Sequence, residues 1–434
     1  MRWPNRLARI RKKLARDLTS LAEGESLFAA SARDKLERLQ AELTPLAQRY
    51  DVVVANPPYM GAKNMNKWLG DWVKKNYPDA KGDLFSCFMV RNSDMGSEHA
   101  QMGFMTPYVW MFISTYEKLR KFVIEKNTIA SLIQLEYSGF AGATVPICTF
   151  TLQKGYLPGY KGGYIRLSDF VGADQQAPRA LEALANPKCG WFYRTDASGF
   201  EAIPGSPIAY WASEAIRSAF ASMPTVEDET RPHIGMQTGD NERFLRLWWE
   251  VENRNSFFDC PDAAHSKQDN RKWYPCNKGG GFRRWYGNQD YLVDWQNNGR
   301  VIVGDAEKDS RRFMNLPDEF KFCETAAWSM LSSSRAAFRY FPEGFIFEHA
   351  SSAMIGMQNT LMHVLAFCNS EVARILLATV SPTLNFNVNC IAQLPMSIQG
   401  GEDIEKLAKN NIEIARCDWD AYETSWNFDH HSLL

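Results

Sequence analysis

The chain has 434 residues, long enough at ~100–200 residues per domain for two or three domains with cores of their own. A hydrophobic content of 45% and a charged content of 23% are those of a folded globular protein, which excludes global disorder and collagen-like or mucin-like classes. Forty-nine basic residues against fifty acidic ones leave a net charge of -1, so any nucleic-acid surface has to be a local patch.

Residues 1–50 read as a helical lead-in, with seven basic and no acidic side chains from Arg2 to Arg16 and a mixed-charge stretch at helical spacing from Asp34 to Gln48. The β-branched run Val52-Val53-Val54-Ala55 closes on Asn56-Pro57-Pro58, the pattern of a buried parallel strand that ends at a rigid loop. A helix is predicted around 84–93, a strand near 102–106, a helix around 115–126, and strands near 129–135 and 145–152. This alternation argues for a doubly wound α/β sheet. From about Gly172 the texture becomes loop-rich, and a domain boundary is placed near 155–180.

Between Arg231 and Arg312 lie fourteen Lys and Arg and five of the fourteen tryptophans, with twelve Asp and Glu among them. This composition suits either a surface that tracks nucleic acid or a β-rich core with a charged rim. The nine cysteines contain no C-x-x-C pair or zinc spacing and suit reduced thiols in a cytosol. His430-His431 lacks a third ligand and reads as a solvated tail, so no metal site is expected. No window approaches the ~20 apolar residues of a membrane span, so a cytoplasmic protein with no membrane partner is expected.

The sharpest signal is Asp51-Val-Val-Val-Ala-Asn56-Pro57-Pro58-Tyr59. An amine conjugated to a purine ring is a poor nucleophile because its lone pair is delocalised into the ring. A methylating site must therefore hold both amine hydrogens with acceptors. The Asn56 side-chain oxygen and the Pro57 carbonyl can serve, consecutive prolines fix the loop, and Tyr59 offers a face to an extruded base. The bland alternative is a strand followed by an ordinary Asn-Pro turn.

The Asn-Pro-Pro-Tyr motif resembles that of the S-adenosylmethionine-dependent adenine DNA methyltransferases, and the wider text is similar to the type IIG-like enzymes of BREX phage-defence systems, the PglX family. The resemblance runs through Lys81-Gly82-Asp83-Leu84-Phe85, Thr106 to Phe112, Gly235 to Arg246, Lys272-Trp273-Tyr274, Gly279 to Asn288, Pro382 to Phe386 and Asp418-Trp419-Asp420. It implies the later half of a doubly wound methyltransferase sheet (51–175) followed by a mixed α/β target-recognition domain (176–434). Catalysis would fall to Asn56, Pro57, Pro58 and Tyr59. Phe140 would be the second aromatic against a flipped adenine, its other reading being a core residue. Asp83, Leu84 and Phe85 would line the cofactor's adenine pocket, Asp83 being alternatively a helix cap. Asp240, Asn241, Arg243, Arg246, Arg283, Arg284 and Trp285 would contact double-stranded DNA.

One departure stands against these matches. The family holds S-adenosylmethionine with a Gly-rich turn after the first strand of the sheet, and nothing from Met1 to Tyr50 resembles one. The chain is therefore expected to need a complementary N-terminal methyltransferase portion, with other BREX components as further partners, and not to bind cofactor alone. Two alternatives remain open: a catalytically inactive DNA-binding fragment or half of a split enzyme, and a protein-glutamine methyltransferase, which presents the same four residues to a side-chain amide.

Overall fold

The computed structural model describes residues 3–21, 27–139, 145–306, 314–332, 335–381, 385–397 and 401–431. The chain divides into two units, Met1–Ser213 and Glu214–Leu434.

The first unit contains α1 (Trp3–Leu21), α2 (Leu27–Ala47), β1 (Tyr50–Ala55), α3 (Lys67–Asn76), α4 (Leu84–Met95), β2 (Gly96–Pro107), α5 (Glu117–Lys126), β3 (Asn127–Gln134), β4 (Ile147–Lys154), β5 (Lys161–Arg166), α6 (Ala173–Ala185) and β6 (Phe192–Asp196). Its six strands form one sheet in the order β1-β2-β4-β3-β5-β6. β1 runs parallel to β2, and β5 to β3. β4 is antiparallel to both β2 and β3, so those two share a direction. The sheet is thus mixed where pure alternation predicts a parallel one. No helix intervenes between β3 and β4 among the described residues, and without a crossover the chain returns in the opposite sense.

The sheet packs on α4 and α5 through Phe85, Met89, Leu119, Val123, Phe104, Leu132, Phe150 and Trp110, all buried. Two features differ from the sequence expectation. β1 was expected to be buried, yet Val52 and Val54 are 63% and 75% exposed while Val53 and Ala55 pack on the core. β1 is the edge strand, and no described element covers its outer face. The boundary expected near 175 lies instead at 213. β6, hidden in loop-rich text, pairs with β5, the Tyr210 hydroxyl donates to Gln134 at 2.8 Å, and buried Arg120 donates to the Trp110, Ile113 and Gly205 carbonyls. The Gly162-Gly163 run lies within β5, where a Cβ on Gly162 would come 2.4 Å from the Ile129 carbonyl. That glycine permits close strand pairing and belongs to no phosphate-binding turn.

The second unit contains β7 (Arg231–Ile234), β8 (Leu245–Leu247), β9 (Trp273–Asn277), β10 (Tyr291–Asp294), β11 (Thr325–Ser329), β12 (Phe338–Phe341), β13 (Ile346–Phe347) and β14 (Ser351–Ile355). They form two four-stranded sheets, β13-β9-β10-β8 and β12-β11-β14-β7, antiparallel except for β13 against β9. Tyr274, Trp295, Phe322 and Phe341 fill a common core. Helices Gln358–Cys368, Glu371–Val380 and Gly401–Asp420 complete a mixed α/β unit. Among the described residues no single helix is long and apolar enough to cross a membrane.

Candidate active site

Asn56, Pro57, Pro58 and Tyr59 follow directly from the carboxyl end of β1. Ala55 pairs with Phe104, so the loop stands beside the equivalent end of β2 at Met105–Pro107. Asn56 and Pro58 are exposed and Pro57 is buried, so Pro57 anchors the loop while the asparagine faces solvent. The Tyr59 hydroxyl lies 3.2 Å from Asn56 Oδ1 and 3.3 Å from the Met105 carbonyl. It has one hydrogen to donate, shared between these two acceptors. The Asn56 oxygen therefore keeps a lone pair for an incoming N–H. The Tyr59 ring stands edge-on to Phe85 at 6.3 Å, and partial burial raises the pKa of its hydroxyl, which remains a neutral donor at ordinary pH.

The downstream end of the loop is held by Asp83. Its Oδ1 accepts from the Met60 amide at 2.8 Å and from the Phe85 amide at 3.2 Å, so one carboxylate caps α4 and fixes the residue after Tyr59. Ala62 N to the Gly82 carbonyl and Leu84 N to the Met60 carbonyl close a short two-stranded clasp around it. The cap on α4 is a local signal of the sequence, whereas the grip on Met60 spans more than twenty residues and leaves no local pattern. Behind the site, burial pushes the Cys148 thiol up to about 12, and Thr106 lies 3.7 Å from it, so this cysteine is an inert packing group.

The residues proposed for a cofactor pocket do not make a complete one. The Asp83 carboxylate is engaged by two amides, the Phe85 ring is 1% exposed beneath Tyr59, and Leu84 alone offers a partly open apolar surface. These three form one wall, and S-adenosylmethionine does not fit the described residues as a closed site. Phe140 lies outside the described residues.

In the second unit, Asp240 caps the short helix Asn241–Phe244, and Asn241 bonds to Thr238 and to Glu348. Arg243 is exposed, its guanidinium 4.8 Å from the Phe244 ring centre. Arg246 donates to the Glu242 and Leu245 carbonyls. Arg283 pairs with Asp418 at 2.8 Å and lies over Trp419, while Arg284 reaches the Asn369 carbonyl. Trp285 bridges to Arg339 with its backbone at φ 73°. The structure brings Arg283, Arg284 and Trp285 together on one turn, and Asp240, Asn241, Arg243 and Arg246 on another.

Residues 5–140 match the Eco57I restriction-modification methylase family. The adenine-specific methyltransferase PglX of Lacticaseibacillus casei (strain Zhang) is 36% identical over 401 residues, covering 90% of this chain. The adenine-specific methyltransferase BrxX of Escherichia coli O9:H4 (strain HS) is 34% identical over 426 residues, covering 94%. The chain is a homologue of adenine-specific methyltransferases. It spans about a third of the length of these two relatives, 33% of each. Among solved structures, the type IIL restriction-modification enzyme MmeI in complex with DNA superposes with a TM-score of 0.55 at 9% identity, over 89% of this chain and 52% of that one. At that identity the likeness concerns the fold alone.

Proposed function

We propose that this chain carries the amine-gripping loop and the DNA-reading unit of a methyltransferase that modifies the 6-amino group of a flipped adenine in duplex DNA, marking host DNA in BREX phage defence. The observation that carries the reading is the Asn56–Tyr59 loop, clasped by Asp83 at the carboxyl end of β1, with an exposed asparagine oxygen that retains an unused lone pair. In this reading Asn56 Oδ1 and the Pro57 carbonyl accept the two amine hydrogens, drawing the nitrogen lone pair out of conjugation, and Tyr59 stacks on the extruded base. S-adenosylmethionine supplies the methyl group.

The cradle for that cofactor comes from a complementary methyltransferase portion. The open edge of β1 and its uncovered Val52 and Val54 support docking there, since an unpaired strand edge with an apolar face is a ready template for further strands. Residues 214–434 act as the target-recognition unit, consistent with relatives whose similarity extends through this part of the chain. That extension also disfavours a glutamine methyltransferase, which has no use for a second unit of this size.

Deletion of the gene from its natural host, followed by mass spectrometry of the genomic nucleosides, tests the reading. N6-methyldeoxyadenosine should fall and return on complementation. An unchanged level, or a loss of methylglutamine instead, contradicts it.

A further inference from the structure

We propose that α3 is a second DNA-contact element, placed beside the Asn56–Tyr59 loop to hold the duplex next to the flipped base. The inference rests on the reading of the chain as a DNA methyltransferase. The stretch from Met60 to Gly82 carries five lysines against two aspartates in a protein whose net charge is -1. Its ends are tied by the Ala62–Gly82 and Leu84–Met60 hydrogen bonds, so the whole excursion springs from the catalytic loop and returns to it.

Within α3, Asn66 caps the first turn through the Leu69 amide at 2.9 Å, which fixes where the helix starts. At about 100° per residue, Lys67, Asp71, Lys74, Lys75 and Trp68 occupy an arc of roughly 120°, while Leu69, Trp72 and Val73 fall on the opposite side. The structure agrees with this division. Leu69, Trp72 and Val73 pack into the core, and every residue of the first arc is exposed, Trp68 at 72%. Lys67, Lys74 and Lys75 have no carboxylate partner among the described residues.

A face that carries three lysines against one aspartate and leaves a tryptophan in water at its edge has the chemistry of a polyanion's partner. Lys67 and Lys74 stand about 10 Å apart along the helix axis, roughly the axial rise of three nucleotides of one DNA strand. The ammonium groups suit phosphates, and the indole at the edge of the face suits sugar and base edges beside them. Lys63 and Lys81, both exposed, extend the same charge at the two ends of the excursion.

The test measures binding of the 434-residue chain to a labelled duplex by fluorescence anisotropy between about 50 and 200 mM salt. The triple variant Lys67→Ala, Lys74→Ala, Lys75→Ala should lower the slope of log K against log salt by about 2 to 3, at ~0.9 per phosphate contact. Trp68→Ala should weaken binding by about fivefold and leave the slope unchanged, since no charge is removed. A control removing three cations already paired with carboxylates, Arg374, Lys409 and Arg416, makes the same change in net charge and should leave the slope near the parent's. All these positions are exposed, and alanine favours the helix, so loss of fold does not stand in for loss of contact. A triple variant with the parent's slope and affinity overturns the inference and leaves the methyltransferase reading standing. So does a variant that binds DNA like the parent but loses self-association in sedimentation, which would make a second copy the occupant. A parent chain that fails to bind duplex DNA at the lowest salt overturns the inference together with the DNA-binding part of that reading.

Discussion

Two stretches of this chain combine cations with tryptophan, and they fold to opposite ends. Residues 231–312 hold fourteen Lys and Arg and five tryptophans. In the structure Arg254, Arg271 and Lys272 are paired with carboxylates of the stretch and Arg231, Lys267 and Arg283 with Glu319, Asp318 and Asp418 beyond it, Arg246 and Arg284 are bonded to main-chain carbonyls, and Trp295 is fully buried while Trp249 is 50% exposed. Residues 60–82 hold five lysines and leave Trp68 in solvent. The first stretch has twelve acidic residues of its own and lies against Asp318, Glu319 and Asp418, whereas the second has two. A count of basic and aromatic residues does not describe a surface; the carboxylates that the fold brings within reach, from near or far in sequence, decide whether a cation is paired inside the fold or offered outward.

The contrast can be broken most forcefully at the tryptophans. Trp295→Ala should destabilise the second unit by ~3–5 kcal/mol, because the emptied core volume collapses only in part, whereas Trp68→Ala should change stability by no more than ~0.5 kcal/mol. Urea unfolding of both variants checks this, and similar losses would erase the difference between the two stretches.

Tyr59 tests a third kind of aromatic, half-exposed and bonded through its hydroxyl. Tyr59→Ala removes a stacking face worth ~1–3 kcal/mol and should weaken capture of the extruded base correspondingly. Tyr59→Phe keeps the face, releases the Asn56 oxygen and should be milder. Fluorescence of 2-aminopurine at the target position in the methylating complex reads both. Equal effects would assign the role to the hydroxyl and not to the ring.

The smallest effect belongs to an ion pair inside the second unit. Lys267 and Lys321 donate to Asp318 at 2.8 and 2.6 Å and hold its carboxyl at about 2, below the usual carboxylate range. A depressed carboxylate stabilises the fold above its unfolded value of ~3.9, and that stability is lost as the pH falls toward 2. The side chains of Asp318 and Lys267 are 52% and 50% exposed, so solvent screens that arm, whereas Lys321 is 1% exposed and its ammonium depends on the Asp318 oxygen. Asp318→Asn keeps a neutral acceptor for Lys321 but removes its counter-charge, so it should lower the urea midpoint near neutrality and lose less on acidification than the parent. Identical acid sensitivity in the two would show that the paired cations of this unit contribute nothing measurable.

Much of the first unit was legible in the sequence. The apolar run at 52–55, the alternation from 84 to 152 and the paired prolines are local signals, and the strands, helices and rigid loop lie where those signals put them. The exposure of Val52 and Val54 was not legible, because a β-branched run reads the same on a covered or an uncovered face. β6 was missed for want of periodicity over five residues, and with it the extent of the sheet. At the candidate site, the position of the Asn56–Tyr59 loop directly after β1 could be read from the sequence. The grip of Asp83 on Met60 and the contact of the Tyr59 hydroxyl with Asn56 and Met105 are tertiary and have no sequence signature. The α3 arc could have been found, since five lysines against two aspartates is a count that needs no structure.

The central claim is that Asn56 grips the amine that is methylated. Its most direct test is base-resolved sequencing of genomic DNA from the natural host carrying either the parent gene or Asn56→Ala, with protein levels matched. N6-methyladenine at the modified sequence should fall by ~100-fold or more, the loss expected when a transition-state acceptor is removed, while DNA binding by the purified chain stays near the parent's. Methylation within a few-fold of the parent would contradict the assignment of the Asn56–Tyr59 loop as the catalytic site.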